Sequence, residues 1–408
     1  MKLHSIWIIL FACGITGCDT QFEGGSGTEN NPYQVATLEQ LQAIGEKENL
    51  NKHFIQVDNI DASDTKSWNY GRGFTPIGDE DRKFLGGYDG DEYEIEGLYI
   101  NRENQDNVGL FGYVMDATVK NVRGTDFDIK GDRRVGAVVG YLELGNIEDV
   151  FADGRVIGSS RIGGIVGANH VSEVKKSQAR VKVKGDSQLA GGLVGLNQKG
   201  EVSHSAAYGN ISGDGTYHGG LIGNTEEGEV RYSYAMGDVE ATRDGLNYSH
   251  VGGLMGSSHE SEIYSSYATG DVHGKGNFTG GLVGESNRSR ISYSYATGKV
   301  KGEGSQVGGL IGMLRYGRVF KSYAAGAVSG QIEVGGLIGT NIGEIANSYW
   351  NIEASGENQG VGNGNSDGVT GLMTSDMTGQ NAYFNMSDLD FGRAFQTTNS
   401  YPELIFDP

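Results

Sequence analysis

The feature that most constrains this chain is a short apolar phrase, bounded by glycines, that recurs nine times. Its common form is Gly-Gly-Leu-Val-Gly or a close variant, and the closing glycine returns every 27 or 28 residues, with one interval of 33. The closing glycines are Gly112, Gly140, Gly167, Gly195, Gly223, Gly256, Gly284, Gly312 and Gly339. A fixed period of this length with a strand-like core is typical of a solenoid, in which each repeat forms one coil.

Each repeat predicts three short strands. In the repeat that begins at Gly280 they cover 280–284, 290–296 and 298–302, with glycines where the chain turns. We therefore predict an all-β, right-handed parallel β-helix of about nine 28-residue coils. The composition agrees, because 69 glycines, 4 prolines and 37% apolar residues suit a slender core filled by a few side chains per coil.

Equivalent positions in the repeats predict which side chains point inward. The position of Ile291 is β-branched in every repeat, which is typical of a core position. Its members are Val119, Ile147, Val174, Val202, Val230, Ile263, Ile291, Val319 and Ile345. The position of Ser294, three residues later, is always small and uncharged and is also predicted to face inward. Residues three apart on a flat strand face opposite sides, so we predict a bend or bulge near Ser292 and Tyr293.

The position after that serine holds tyrosine in the later repeats, and we call this column the tyrosine ladder. Its members are Tyr234, Tyr267, Tyr295, Tyr323 and Tyr349. Earlier repeats place Arg123 and Gln178 there, which predicts a solvent-facing column. Flat amphipathic rings stack on sugar faces or pack against protein partners, so the ladder is our candidate ligand-binding site. The alternative is that the rings stack only on one another and stabilise the sheet.

The N-terminal residues predict export. Residues 1–17 have a positive start, an apolar stretch over 6–12 and then small residues, as in a secretory signal. The following Ile-Thr-Gly-Cys resembles the lipobox of bacterial lipoproteins, which implies that Cys18 becomes the lipidated N-terminus and attaches the protein to a membrane. The alternative is an ordinary cleaved signal. Cys13 and Cys18 are the only cysteines, so the exported chain is expected to lack disulfides.

Composition changes divide the chain into five parts. Thr37 and Gln40 have the spacing of a capping box, which predicts a helix over 38–44. Past Trp350 the period stops, and a polar, glycine-rich stretch is followed by spaced apolar residues. The predicted parts are a signal at 1–17, a flexible tether at 18–30, an N-terminal cap with the first coils at 31–107, the repeats at 108–350, and a loop and cap at 351–408 that closes the end of the column.

The charge and the motifs argue against several functions. A net charge of −20 disfavours nucleic acid as a partner. The zinc-protease pattern His-Glu-x-x-His is absent, since Ile263 stands where a second histidine would follow His259. We predict no cofactor and no metal. Calcium is a weaker alternative at the aspartates and asparagines of 87–91 and 361–367, whose spacing matches no calcium loop and favours polar turns.

An enzymatic alternative rests on carboxylates, because β-helices also host polysaccharide lyases and glycosidases. The acidic residues in question are Glu148, Glu201, Glu229 and Glu262. They recur with the repeat, which is typical of solvated turns. The clear break in the repeat is a five-residue insertion within 242–250, which is either a binding loop or a tolerated surface bulge.

The phrase Gly-Gly-Leu-Val-Gly, followed by the Ser-Tyr-Ala-Thr-Gly-Lys-Val of 294–300, resembles the GLUG-motif repeat of bacterial surface proteins. The flanks at 31–35, 54–61, 74–78, 371–377 and 401–404 agree, so the resemblance spans about 24–408. It implies a non-catalytic, adhesin-like protein of the cell envelope, at the outer membrane or cell surface, with a glycan or a host or cell-surface protein as ligand. Similar repeats also occur in hemagglutinin-like proteins and in non-catalytic regions of immunoglobulin A peptidases. A purely structural stalk is the third possibility.

Overall fold

A computed structural model describes residues 22–186, 188–242 and 248–406. Parallel strands wind through them as a β-solenoid of about nine turns with the predicted spacing of about 28 residues, which confirms the predicted fold class. The predicted signal and Cys18 lie outside the described residues. Within the described residues, no helix is long and apolar enough to cross a bilayer.

The coils contribute strands to three parallel sheets. The first sheet consists of Tyr33–Val35, His53–Gln56, Gly87–Asp89, Phe111–Met115, Thr118–Lys120, Val139–Glu143, Asn146–Glu148, Val166–His170, Glu173–Lys175, Val194–Gln198, Glu201–Ser203, Ile222–Glu226, Glu229–Arg231, Met255–His259, Glu262–Tyr264, Val283–Asn287, Arg290–Ser292, Ile311–Phe320, Ile338–Ala346 and Val361–Gly364. The second consists of Ile60–Asp61, Glu94–Glu96, Tyr99–Asn101, Arg123–Lys130, Phe151–Gly158, Gln178–Gly185, Ala206–Ala207, Ile211–Gly213, Tyr234–Ala235, Val239–Ala241, Tyr267–Ala268, Val272–Gly274, Tyr295–Ala296, Val300–Gly302, Tyr323–Ala324, Val328–Ser329, Ser348–Asn351 and Val369–Leu372. The third consists of Arg133–Gly136, Ser160–Gly163, Leu189–Gly191, Tyr217–Gly219, His250–Gly252, Thr279–Gly280, Ser305–Gly308 and Ile332–Gly335.

Each coil is divided more finely than predicted. The predicted strand over 290–296 is two strands, Arg290–Ser292 and Tyr295–Ala296, which belong to different sheets. The bend between them is at Tyr293, whose φ of 50° is in the left-handed region. This confirms the predicted bend and explains how Ile291 and Ser294, three residues apart, are both buried.

The two inward columns build the core. Every member of the Ile291 column is buried, and adjacent members pair in register from coil to coil. The serines of the second column form a continuous serine ladder: Ser177, Ser205, Ser233, Ser266, Ser294, Ser322 and Ser348. Each hydroxyl donates to the carbonyl two residues before it and accepts from the backbone N–H of the preceding coil, at 3.1 to 3.4 Å. The ladder therefore satisfies buried backbone donors at every bend.

Glycine is required in the repeated phrase because the coils approach closely. A Cβ at Gly281 would lie 2.1 Å from the carbonyl oxygen of Gly309 in the next coil and 3.0 Å from the Cβ of Ala296. A side chain at Gly281 would therefore clash with the next coil, which explains why this position is glycine in every repeat except the one that carries Ala137.

The N-terminal part contains the predicted helix. It covers Leu38–Ala43, and Thr37 and Gln40 form the predicted capping box. A 3₁₀ stretch follows at Ser63–Gly71. The prediction of a flexible tether is wrong for the described residues 22–30. Phe22 stacks on Tyr33 at 4.9 Å, and Glu23 and Gly24 form backbone hydrogen bonds with Gln34 of the strand Tyr33–Val35, because this edge strand offers unpaired hydrogen-bonding groups.

The C-terminal part differs from the prediction in two ways. The stretch 355–368, expected to be a loop, contains the strand Val361–Gly364, and the segment expected to close the column begins with the strand Val369–Leu372. Both strands pair in parallel with the preceding coil and so extend the solenoid. The rest contains the helix Gly379–Asn385, the 3₁₀ turns Thr374–Asp376 and Ser387–Leu389, and an antiparallel pair, Phe395–Gln396 with Glu403–Leu404. A further short helix, Ile352–Ser355, follows the last full coil. Residues 373–406, the C-terminal segment, pack along the tyrosine ladder and do not simply close the end of the column.

Candidate binding surface

The tyrosine ladder lies on the outside of the second sheet, one ring per coil. Tyr234, Tyr267 and Tyr295 stack with ring centroids 4.8 Å apart and planes 2° from parallel. Tyr323 continues the stack at 4.9 Å and 7°. These distances match the spacing between coils, so the in-register strands themselves hold the rings face to face.

The prediction that the ladder faces solvent is wrong for three of its members. Tyr295, Tyr323 and Tyr349 are 6%, 0% and 4% exposed, because the C-terminal segment covers them with residues that include Met386 and Phe395. The column does point away from the core, as Arg123 and Gln178 indicated. A long-range contact covers it, and the sequence column carries no signal of that contact. Tyr234 and Tyr267 are half-buried, with Phe406 against both rings.

Polar contacts fasten the C-terminal segment to the ladder. The hydroxyl of Tyr323 donates to the carbonyl of Pro402, and that of Tyr349 donates to Asp388 at 3.1 Å. Burial raises the pKa of Tyr323 well above its ordinary value and raises the pKa of Tyr349 to about 12, where the Asp388 carboxylate adds to the effect. These hydroxyls are therefore neutral and bonded within the protein at physiological pH.

A second row of rings beside the ladder is only partly covered, and we call it the aromatic stripe. Its members are His204, Tyr232, Tyr264, Tyr293 and Phe320. Consecutive ring centroids lie 5.0, 5.5, 5.3 and 5.9 Å apart, and the Tyr and Phe contacts are edge to face. His204 is exposed and the other four are half-buried. The stripe therefore has one partly accessible ring on each of five consecutive coils.

The stripe could not be read from a single column of the repeat, because its members are divided between two columns. Tyr232 and Tyr293 occupy the left-handed bend, whereas Tyr264 and Phe320 precede it by one residue. Adjacent residues on a flat strand would face opposite sides, but the bend brings both columns to one corner. The signal that could have revealed it is an aromatic ring at one or the other position in each of five successive repeats.

Cations flank the C-terminal end of the stripe. The guanidinium of Arg290 lies 4.6 Å from the ring centroid of Phe320, and the ammonium of Lys321 lies 5.3 Å from that of Tyr293. The Tyr293 hydroxyl donates to Asp390 at 2.9 Å, and Lys321 pairs with the same carboxylate. The contact with Asp390 links the stripe to the C-terminal segment.

The recurring glutamates lie on the first sheet. Glu201, Glu229 and Glu262 face one another in register on adjacent coils. Arg231 pairs with Glu201 at 3.4 Å and with Glu229, and Lys175 lies 3.5 Å from Glu148. The paired glutamates are one third to one half exposed. The arrangement is a partly neutralised, solvated strip.

A compact polar and aromatic cluster lies beside the predicted insertion, whose residues 243–247 are outside the described residues. The His250 ring stacks between Tyr217 at 4.5 Å and Phe278 at 4.8 Å. Its Nε2 lies 2.9 Å from Glu285, which also accepts from Arg315 at 3.1 Å. Burial alone would raise the pKa of the Glu285 carboxyl, but the bonds and charges of His250 and Arg315 outweigh it and lower that pKa.

The described ranges contain no group of three His, Cys, Asp or Glu side chains arranged to hold a metal ion. At the first calcium alternative, Asp89 accepts from the backbone N–H of Asp91 at 3.0 Å. At the second, Asn365 accepts from the backbone N–H of Asp367 at 2.9 Å. Both are contacts typical of polar turns.

Comparison with known proteins gives partial similarities. No family model matches the chain. The chain is 38% identical over 157 residues, 37% of its length, to halomucin of Haloquadratum walsbyi, and 37% identical over 93 residues, 23% of its length, to the "Putative Gly-rich membrane protein" of Evansella cellulosilytica. These alignments span only 2% and 11% of the two relatives. A solved structure titled "putative immunoglobulin A1 protease" from Bacteroides ovatus aligns over 94% of this chain and 95% of its own, at 15% identity and a TM-score of 0.31.

Proposed function

We propose that this protein is a non-catalytic, lipid-anchored scaffold of the cell envelope, at the outer membrane or cell surface, that binds glycan or protein ligands in the manner of an adhesin. The observation that carries the proposal is the aromatic stripe, a partly exposed row of rings across five coils. Aromatic side chains supply much of the energy at binding surfaces. One of the two relatives is named as a membrane protein, which supports an envelope location.

The geometry of the stripe favours an extended ligand. Rings repeat at about the spacing of the coils, so a polymer lying along the solenoid would meet several equivalent contacts. Contacts that are weak one at a time become strong together when they are linked, which is the basis of avidity. The aromatic stripe replaces the tyrosine ladder as the proposed binding surface, since the C-terminal segment already covers most of that ladder.

Binding is tested on a glycan array and on immobilised matrix proteins with a triple variant, Tyr232→Asn, Tyr264→Ser and Tyr293→Asn. Asparagine is chosen because both bend positions are left-handed, a conformation that it tolerates. Tyr316→Asn is the matched control, because Tyr316 is 65% exposed, has a φ of 54° and lies outside the stripe. Loss of binding in the triple variant alone supports the proposal. Equal binding by all three proteins contradicts it.

The membrane anchor is tested separately. Metabolic labelling with a radioactive fatty acid should mark the natural chain and not a Cys18→Ala variant, and that variant should leave the membrane fraction. An unlabelled natural chain would refute the lipid anchor without affecting the binding proposal. The absence of catalysis is tested by incubation with a polysaccharide panel, because release of reducing or unsaturated ends would favour the β-helical enzyme.

A further inference from the structure

A cleft of about 690 Å³ lies in the N-terminal part of the protein, outside the repeats. The helix Leu38–Ala43 and the chain after the 3₁₀ stretch Ser63–Gly71 both contribute to its walls. It shares no residue with the aromatic stripe. Its volume is within the range of small-molecule sites, which are concave and combine apolar walls with a few polar groups.

Trp68 provides an aromatic surface in this cleft. The residue is half-buried and packs against the main core while also lining the cleft. The next residue, Asn69, is left-handed with a φ of 52° and donates to the Gly73 carbonyl at 2.8 Å and to the Thr75 hydroxyl at 3.3 Å. These bonds fix the loop that carries the indole.

The helix that lines the cleft is bonded to Thr75 as well. The side-chain amide of Gln42 accepts from the backbone N–H of Thr75 at 2.9 Å and donates to its carbonyl at 3.0 Å. Arg102 donates to the Thr75 hydroxyl at 2.9 Å. Because the helix and the Trp68 loop are both bonded to Thr75 or its neighbours, the cleft is formed before any ligand arrives, which reduces the entropy lost on binding.

The charges of the cleft select against anions. Its lining contains three carboxylates, Glu39, Glu46 and Asp79, and one guanidinium, Arg82. Asp79 and Arg82 pair with each other at 2.9 Å. Within the described part of the chain, neither Glu39 nor Glu46 has an ion pair, so their oxygens are available to accept hydrogen bonds from hydroxyl groups.

We propose that this cleft binds one ring of a neutral sugar, with an apolar face of the ring on Trp68 and hydroxyls donating to Glu39 and Glu46. An aromatic face beside acceptors fits such a ligand, because a neutral sugar has a C–H face and a rim of hydroxyls. The proposal deepens the glycan-binding part of the proposed function by naming a ligand class and a second, separate site.

The test is a titration of the chain without its predicted signal, 1–17, with neutral hexoses, N-acetylhexosamines and their disaccharides, and tryptophan fluorescence monitors binding. After Cys18 the only tryptophans are Trp68 and Trp350, and Trp350 is buried, so a change in emission reports on Trp68. Uronic acids, sialic acid and short peptides serve as competing ligand classes. A saturable change with a neutral sugar and none with the acids is expected.

The variants separate binding from folding. Trp68→Ala should weaken the binding of the neutral sugar about tenfold or more, or about 1.4 kcal/mol, because Trp is enriched among the few residues that carry most of the energy at binding sites. Calorimetry measures this variant, because it lacks the fluorescent side chain. Glu39→Gln should weaken the binding of the neutral sugar a few-fold, and the fold should stay intact because Glu39 is exposed. Tyr70→Ala is the matched control on the same loop, fully exposed and outside the cleft.

Each outcome decides the matter. The proposed sugar site in the cleft is refuted by any of three results. They are no response to any neutral sugar, a response only to acids or peptides, and unchanged affinity in both Trp68→Ala and Glu39→Gln. Glycan binding that persists in Trp68→Ala but disappears in the stripe triple variant also overturns the cleft and leaves the proposed function standing. A neutral-sugar response retained by the stripe variant supports an independent site.

Discussion

At the scale of single residues, the serine ladder explains how the chain bends sharply without glycine. The bends place residues such as Lys176, Tyr232 and Tyr293 in the left-handed region, which is unfavourable for side chains of this size. The serine that follows each of these bends bonds both to its own coil and to the coil before it. The hydrogen bonds therefore offset the conformational strain at the same place in every later coil.

Ser294→Ala should destabilise the protein by about 1 to 3 kcal/mol, because it leaves the buried N–H of Ser266 without its partner at 3.3 Å. Ser292→Ala is the matched control, since the Ser292 hydroxyl is buried two residues away with no hydrogen-bond partner in the described chain. Urea unfolding of both variants measures the difference. Equal midpoints would show that the ladder contributes nothing to stability.

His218 makes stability depend on pH. The ring is fully buried at a core position where the neighbouring coils carry Ala190 and Val251, and burial lowers its pKa to about 4. The unfolded chain takes up a proton near pH 6.5 and the folded chain does so only near pH 4, so stability is lost as the pH falls through this interval. A shift of this size corresponds to roughly 3 kcal/mol.

His218→Ala, which repeats the residue of the preceding coil, should remove most of that dependence. Thermal unfolding of both proteins between pH 7 and pH 4 measures it. As the pH falls, we expect the melting temperature of the natural protein to decrease more than that of the variant. Parallel curves would show that His218 is not the responsible group.

At the scale of elements, the C-terminal segment is the part whose role departs most from expectation. It carries its own small core, in which Phe395 is fully buried and lies 6.1 Å from the ring of Tyr323. It also joins the solenoid through Asp388 and Asp390, which bond to Tyr349 and Tyr293. The segment is thus an element docked on the side of the coils, stabilised by contacts separate from those within the solenoid.

Phe395→Ala should release this element and leave the coils folded, because removing a buried phenylalanine costs about 3 to 5 kcal/mol of packing. Trypsin should then cut faster at Arg393, while the far-ultraviolet circular dichroism of the sheets is unchanged. Phe384→Ala is the control, since that ring is 68% exposed. Global loss of β structure in Phe395→Ala would show instead that the segment is integral to the solenoid.

The particular elements show how far sequence reasoning reaches. The β-branched column, the serine column with its bend and the capping box of the helix were all predictable, because each depends on contacts that repeat or are local. The burial of Tyr295, Tyr323 and Tyr349 under the C-terminal segment was not predictable, because it depends on a contact between distant parts of the chain. The aromatic stripe was missed for a geometric reason, since a left-handed bend merges two columns that a flat strand would separate.

At the scale of the whole molecule, strict register makes the coil the unit of construction. Gly163 pairs with Gly191, and Ile162 pairs with Ala190, so equivalent positions recur after one full coil. In solenoids each repeat contacts mainly its neighbours, and stability is approximately a sum of repeat and interface terms.

Deleting residues 164–191, which make one full coil of 28 residues, should leave a folded solenoid shortened by about 4.8 Å, because Gly163 is then joined to a residue equivalent to Gly164. X-ray scattering measures the length and circular dichroism the fold. Deleting only 164–177 is the control and should prevent folding, since the inward columns no longer align. The interpretation of the coil as the unit of construction would be contradicted if the half-coil deletion folds or if the full-coil deletion does not fold.

The direction of the bonds between coils also governs the response to mechanical load. Hydrogen bonds such as that from the N–H of Ser294 to Ser322 join one coil to the next, so a pull on a chain end meets them one after another around the circumference. Bonds that break in succession resist far less than bonds that shear together. Each coil of 28 residues that detaches can add up to roughly 95 Å to the length of the extended chain. If the proposed anchor and ligand hold the molecule from two sides, it would lengthen stepwise under load and limit the force between them.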